Sequence, residues 1–139
     1  MKLRPGSRIV IDTNVYLSRF LRPTSVPGRA VERAMKRNIT LVSTSTLIEL
    51  RDVLSRRKFA RYVDPREAEP YLSRITSAAE HIEVLSKIEA CRHPKDNKFL
   101  ELAIDGRAHL ILTGDQDLLV LSPFRGISIV TPAQYLAED

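Results

Sequence analysis

Short apolar runs alternate with longer amphipathic stretches along this chain, and most of the runs end in polar residues. Arg8-Ile9-Val10-Ile11 is continuous and rich in β-branched residues, the pattern of a strand covered on both faces of a parallel sheet. Similar runs at 39–43, 82–85, 109–113 and 127–130 predict four more strands. Helical periodicity fills the gaps. One helix is predicted over 14–21, stopping before Pro23, and a second over 29–37, opened by Pro27 and Gly28 with Ala30, Val31, Ala34 and Met35 on its apolar face. A third is predicted over 47–57, with N-cap candidates at 44–46 and Glu49 completing a capping box with Thr46. Residues 58–63 read as a short helical piece. A further helix starts at Asp64-Pro65 and runs to about 80, with Pro70 placed either to kink it or to mark its true start. Residues 86–95 lack periodicity and read as loop. A clean helix follows over 97–107, with Phe99, Leu100, Ala103 and Ile104 on one face, then a single turn at 117–121 and a last short helix from Pro132.

Strands alternating with helices predict an α/β fold, a three-layer α/β/α sandwich around a mainly parallel five-stranded sheet. The 139 residues contain no repeat, low-complexity tract or linker, so one domain is expected over 1–139.

Composition narrows the class. Hydrophobic residues at 43% and charged ones at 28% exclude a disordered chain. Cys91 is the only cysteine, which rules out an intrachain disulfide and suits a reducing compartment. No run nears the roughly 18 apolar residues of a membrane span, and the charged start leads into too short an apolar run for a signal peptide. A cytoplasmic protein without membrane contact is therefore expected.

The net charge of +5, from 22 Lys and Arg against 17 acids, hints at a polyanionic partner. Arg19, Arg22, Arg29, Arg33, Lys36 and Arg37, then Arg51, Arg56, Arg57, Lys58 and Arg61, crowd the first half. By default they are a solvated surface; flanking an acidic cleft, they would grip a phosphate backbone. Four Phe, four Tyr and no Trp make base stacking a minor binding mode. Tyr16 and Phe20, close after Asp12, are the aromatics expected nearest such a cleft.

The acids carry the chemistry. Asp12 follows the first strand and Asp115 follows the fourth, and sites in parallel α/β sheets lie beyond the carboxyl ends of strands. Taken singly, each acid has a plain reading. Asp12, Asp96 and Asp117 are good N-caps, Glu49 is a capping-box acid, and Asp115 is a turn residue beside Gly114. Taken together, they would crowd one end of one sheet, where like charges raise each other's pKa. A hard cation, Mg²⁺ or Mn²⁺, relieves that repulsion and keeps positions open for phosphate oxygens and an activated water. Phosphodiester chemistry follows. Glu67, Glu69, Glu80, Glu83 and Glu89 read as solvated, Asp105 as solvent-facing, and Glu101, one turn from Asp96, as a candidate support for the site. His81, His93 and His109 share no ligand spacing, and neither a glycine-rich phosphate loop nor a Ser-His-Asp arrangement is present.

Four motifs in order resemble the PIN domain: 9–15 around Asp12, 46–49 ending in Glu49, Pro94-Lys95-Asp96-Asn97-Lys98 and Thr113-Gly114-Asp115-Gln116-Asp117, with 129–136 extending the likeness. The branch they resemble is the bacterial and archaeal set related to VapC toxins of toxin–antitoxin systems. The resemblance implies an α/β/α fold and a Mg²⁺- or Mn²⁺-dependent endoribonuclease acting on RNA, often a homodimer and often restrained by a protein antitoxin. It implies that Asp12, Glu49, Asp96 and Asp115 are the catalytic acids. Asp12, Asp96, Asp115 and Asp117 would hold the metal, with Glu49 on the ion or the attacking water. Asn14 and Thr113 match polar residues beside the metal, and Ser43, Thr46 and Thr113 offer hydroxyls to position a phosphate. His93 stands where this branch commonly carries an aspartate, and that position is read as structural. Two rivals remain: a non-catalytic PIN-like scaffold binding RNA or a protein, and a phosphotransferase with an aspartyl nucleophile. The second would want another acid close to Asp12, where Thr13 and Asn14 stand instead.

Overall fold

The computed structural model describes residues 3–138. Strands β1 (Arg8–Ile11), β2 (Ile39–Val42), β3 (Glu80–His81), β4 (Leu110–Leu112) and β5 (Ser128–Val130) form one sheet in the order β3-β2-β1-β4-β5. Every pairing in it is parallel, as the two-sided apolar strands require. Val10 of β1 lies beside Leu41 on one side and Ile111 on the other.

Alternation along the strands feeds two cores. Ile9, Ile11, Leu110 and Leu112 face one layer of helices: α1 (Thr13–Leu21), α2 (Val26–Arg37), α3 (Thr44–Leu54), α4 (Ala68–Ala78) and α7 (Pro132–Ala137). Val10, Leu41, Ile111 and Ile129 face the other, built on α5 (Asn97–Asp105), with Leu118 of the short α6 (Gln116–Leu119). Strand order reverses between β1 and β4, so the crevice of this fold opens above their carboxyl ends.

Five local expectations are corrected. Helix α3 starts at Thr44, and its capping box joins Ser43 to Thr46 rather than Thr46 to Glu49. The Thr46 hydroxyl accepts from Ser43 N–H (3.0 Å), and the Ser43 hydroxyl accepts from Thr46 N–H (3.2 Å). Helix α4 follows a 3-10 turn at Pro65–Glu67, which leaves Pro70 in its first turn, where a missing N–H costs nothing. Tyr16 and Phe20 are core residues, 3% and 7% exposed, and Phe20 stacks on Tyr71 at 5.8 Å.

The third strand is Glu80–His81, not 82–85. After Ile82 donates to the Val42 carbonyl (2.8 Å), the chain leaves the sheet and lies along α5. There Asp105 accepts from Leu85 N–H (2.6 Å) and Ser86 N–H (2.8 Å), and Glu101 accepts from Ile88 N–H (3.0 Å). Asn97 accepts from Ala90 N–H (3.2 Å) and Cys91 N–H (2.8 Å). Residues 97, 101 and 105 recur one helical turn apart, so one stripe of α5 satisfies a loop that would otherwise carry orphan donors. Asp105 is thus an anchor of that loop rather than a solvent-facing acid.

Candidate active site

Asp12 ends β1 and caps α1, with Asn14 N–H pointing to its Oδ1 at 3.4 Å. Its neighbour across the sheet is Thr113, which follows β4 and is fully buried. Thr113 Oγ1 donates to Asp12 Oδ2 (2.7 Å) and accepts from Asp115 N–H (3.0 Å). Asp115 in turn accepts from Asp117 N–H (2.9 Å), which caps α6. A short relay of bonds therefore sets the first strand-end acid beside the second.

Asp96 enters from the 3-10 turn Pro94–Asp96 at the head of α5, and Glu49 from the second turn of α3. Asp12, Glu49, Asp96, Asp115 and Asp117 all line one cleft of about 520 Å³, together with Asn14. Asp12 is 5% exposed. Its burial pushes the carboxyl up to about 6, with Asp96 and Asp115 adding repulsion and the Thr113 and Asn14 bonds opposing the rise. Burial and then Asp115 likewise hold Asp96 above the usual carboxylate range.

Glu49 behaves differently. Burial pushes it up, but Lys98 and the Thr13 side chain more than offset this, so the carboxyl lies below its ordinary value. Lys98 Nζ donates directly to Glu49 Oε2, and both side chains are largely covered. The sequence reading missed Lys98. Its signal was its place two residues after Asp96 at the start of a helix, where a cation can answer neighbouring acids. His93, read as structural, instead lines the cleft, its Nε2 3.1 Å from Asp117 Oδ2. Asp52 and Lys95 also line the cleft and were not singled out, and Arg56, one of the cations expected to flank an acidic cleft, lines it too.

Ser43 and Thr46 are buried and bonded to one another. Ser43 borders a second, larger cavity of about 840 Å³, which adjoins the acidic cleft through Glu49 and Asp52. The strand-end acids Asp12 and Asp115 line the smaller cleft and not its neighbour. The hydroxyls of Ser43 and Thr46, expected to position a phosphate, are bonded within the cap of α3.

Carboxylate oxygens are the donors a hard divalent cation prefers. Among the described residues, however, no three His, Cys, Asp or Glu side chains are arranged to hold a metal ion. The set fits an ion that takes one or two carboxylates directly and keeps water on the rest of its shell, the mode Mg²⁺ favours.

Comparisons with known proteins bear on the family and the fold. The chain is 30% identical over 116 residues to the uncharacterized protein MJ1680 of Methanocaldococcus jannaschii, covering 82% of this chain and 74% of that protein. Its fold is similar to that of VapBC2 from Rickettsia felis, solved bound to a DNA fragment from their promoter (TM-score 0.60, 13% identity, 89% of this chain and 98% of that one). It is also similar to PAE2754 from Pyrobaculum aerophilum (0.56, 15%, 95% and 91%) and to FitAcB from Neisseria gonorrhoeae (0.55, 16%, 90% and 98%). The family profile described as PIN domain matches residues 8–117, a span that holds every acid of the cleft, and the chain belongs to the PIN domain family.

Proposed function

We propose that this protein is a divalent-metal-dependent endoribonuclease, the toxin of a toxin–antitoxin pair, that hydrolyses phosphodiester bonds of single-stranded RNA in the cytoplasm. The observation that carries the reading is the gathering of six carboxylates in one cleft, two of them above their ordinary pKa, first through burial and then through repulsion by their neighbours. Both are costs that a bound cation would offset. No helix among the described residues is long and apolar enough to cross a membrane. The resemblance to VapC toxins, with a fold shared with VapBC2 and FitAcB, supports a protein antitoxin as partner and a homodimer as assembly.

In this reading Asp12, Asp96 and Asp115 would hold the ion, one or two of them directly and the rest through its water, with Asp117 assisting. The ion, Mg²⁺ or Mn²⁺, supplies Lewis-acid polarisation of the phosphate and a water acidified by coordination. Asp12 is aimed by Thr113, so it presents one oxygen to the cleft while the other accepts the hydroxyl. Glu49, kept ionised by Lys98, orients the attacking water by accepting a hydrogen bond from its O–H. Asn14, which lines the cleft, donates to a phosphate oxygen in this reading.

The test is incubation of mixed RNAs with the full chain, with and without EDTA, beside Asp12→Asn. Cleavage that needs the metal and vanishes in the variant is expected; undiminished cleavage by Asp12→Asn would sink the assignment. A second reading, a non-catalytic scaffold, is favoured by one observation, the lack among the described residues of any three acids arranged around a single ion point. Titration calorimetry with Mn²⁺ separates the two, since the scaffold gives no heat.

A further inference from the structure

Past α3 the chain runs Arg56-Arg57-Lys58-Phe59-Ala60-Arg61-Tyr62. Arg56 lines the acidic cleft, with its guanidinium 3.2 Å from Asp52. The residues after it turn away: Arg57, Lys58, Phe59, Arg61 and Tyr62 line a separate concavity of about 580 Å³. Their backbone is held in consecutive tight turns, Phe59 N–H to Arg56 O (3.2 Å), Ala60 N–H to Arg57 O (3.0 Å) and Tyr62 N–H to Phe59 O (2.9 Å).

Three features distinguish this segment. Among the described residues, none of Arg57, Lys58 and Arg61 forms an ion pair with a carboxylate. Lys58 Nζ sits over the Phe59 ring at 5.2 Å, whereas Tyr62 is 68% exposed. Clustered cations interleaved with an exposed aromatic ring are the elements of single-strand binding: the cations track phosphates and the ring stacks a base.

The acidic cleft gives such a segment a role. Its six carboxylates outnumber the cations Arg56 and Lys95 that line it, so cations outside it add to the hold on a strand. We infer that residues 56–62 form the arm that holds single-stranded RNA beside the acidic cleft, with Arg57, Lys58 and Arg61 on phosphates and Tyr62 under an unpaired base. The inference rests on the nuclease reading only for what happens to the strand next; binding itself needs no cleavage.

The test uses the full-length Asp12→Asn protein, so that the probe survives, and fluorescence anisotropy with a short mixed-sequence RNA across a salt series. The triple variant Arg57→Ala/Lys58→Ala/Arg61→Ala is expected to weaken binding at least tenfold. It should also flatten the slope of log affinity against log salt by about 2, at about 0.7 for each phosphate no longer neutralised. Tyr62→Ala is expected to weaken binding about tenfold and Tyr62→Phe to restore it, since a stacked base contributes about 1–3 kcal/mol. A control, Arg29→Ala/Lys36→Ala on exposed α2 positions, should bind as the parent does.

Parent-like affinity and slope in the triple variant overturn the inference, as does an equal loss in the control. Failure of the parent to bind RNA at low salt, or tighter capture of an acidic peptide than of RNA, overturns it too. The nuclease reading is judged separately. Cleavage by the wild type with an unchanged triple variant removes only the arm, while loss of binding beside persistent Asp12→Asn cleavage removes only the catalytic assignment.

Discussion

Thr113 and Asp12 are 101 residues apart in sequence, yet the hydroxyl of the first donates to the carboxylate of the second at 2.7 Å inside the sheet. The bond exists because β1 and β4 are parallel neighbours and both end at the same level, Ile11 beside Leu112. It holds a buried acid in one rotamer and leaves the other oxygen for the cleft.

Thr113→Val keeps the volume and removes the donor. A buried carboxylate then loses a charge-assisted bond, at a cost of about 1–3 kcal/mol. Urea unfolding at neutral pH should show that loss, and cleavage should fall with it. A variant as stable as the parent would mean that the hydroxyl does not support Asp12.

The second prediction concerns pH. Asp12 titrates in the folded protein at about 6, against an ordinary 3.8, so the folded state binds its proton more tightly than the unfolded state does. Stability from this group is complete below about 4 and declines as pH rises through about 6, by about 2–3 kcal/mol in all. Metal-free protein should therefore lose melting temperature between about pH 4.5 and about pH 7, and Asp12→Asn should lose much less. Added Mn²⁺ should restore the wild type at neutral pH and leave the variant nearly unmoved. Parallel melting curves for the two proteins would contradict the assignment of Asp12 as the strained acid.

The Lys98 ammonium holds a Glu49 oxygen and sets a positive charge beside the acidic cleft, which opposes a bound cation. Lys98→Gln removes that charge and makes the cleft more negative. Calorimetry should show Mn²⁺ binding several-fold tighter, while the metal-free protein loses about 1 kcal/mol from the uncompensated acid. Weaker metal binding in this variant would place Lys98 in support of the ion rather than in competition with it.

The α5 stripe gives a prediction away from the chemistry. Asp105→Ala leaves the N–H groups of Leu85 and Ser86 without their acceptor. Hydrogen exchange at those two amides should accelerate at least tenfold, about 1.4 kcal/mol in local opening. Amides of β1 and β4 should be unaffected. Unchanged exchange at Leu85 and Ser86 would show that the loop is held by other bonds.

Much of the architecture could be read directly from the residues. β-branched apolar runs made β1 and β4 recognisable, and a strand covered on both faces cannot be polar on either side. Asp12 and Asp115 stood out for the same local reason, as the first charged groups after buried strands. Glu80–His81 could not be found this way, because the edge strand is two polar residues paired only through the backbone. Pattern reading favoured the apolar 82–85 instead, whose role is to leave the sheet.

What the chain alone determined is the kind and order of its elements and the identity of the acids that follow them, since periodicity, capping and turn chemistry act between near neighbours. Tertiary structure alone decided which groups meet. It set Thr113 on Asp12, gave Glu49 to Lys98 instead of to a capping box, sealed Ser43 against Thr46, and turned His93 into the cleft. Each of these depends on strand register and helix packing between segments far apart in sequence, where a side chain's partner is chosen by the geometry of the whole sheet.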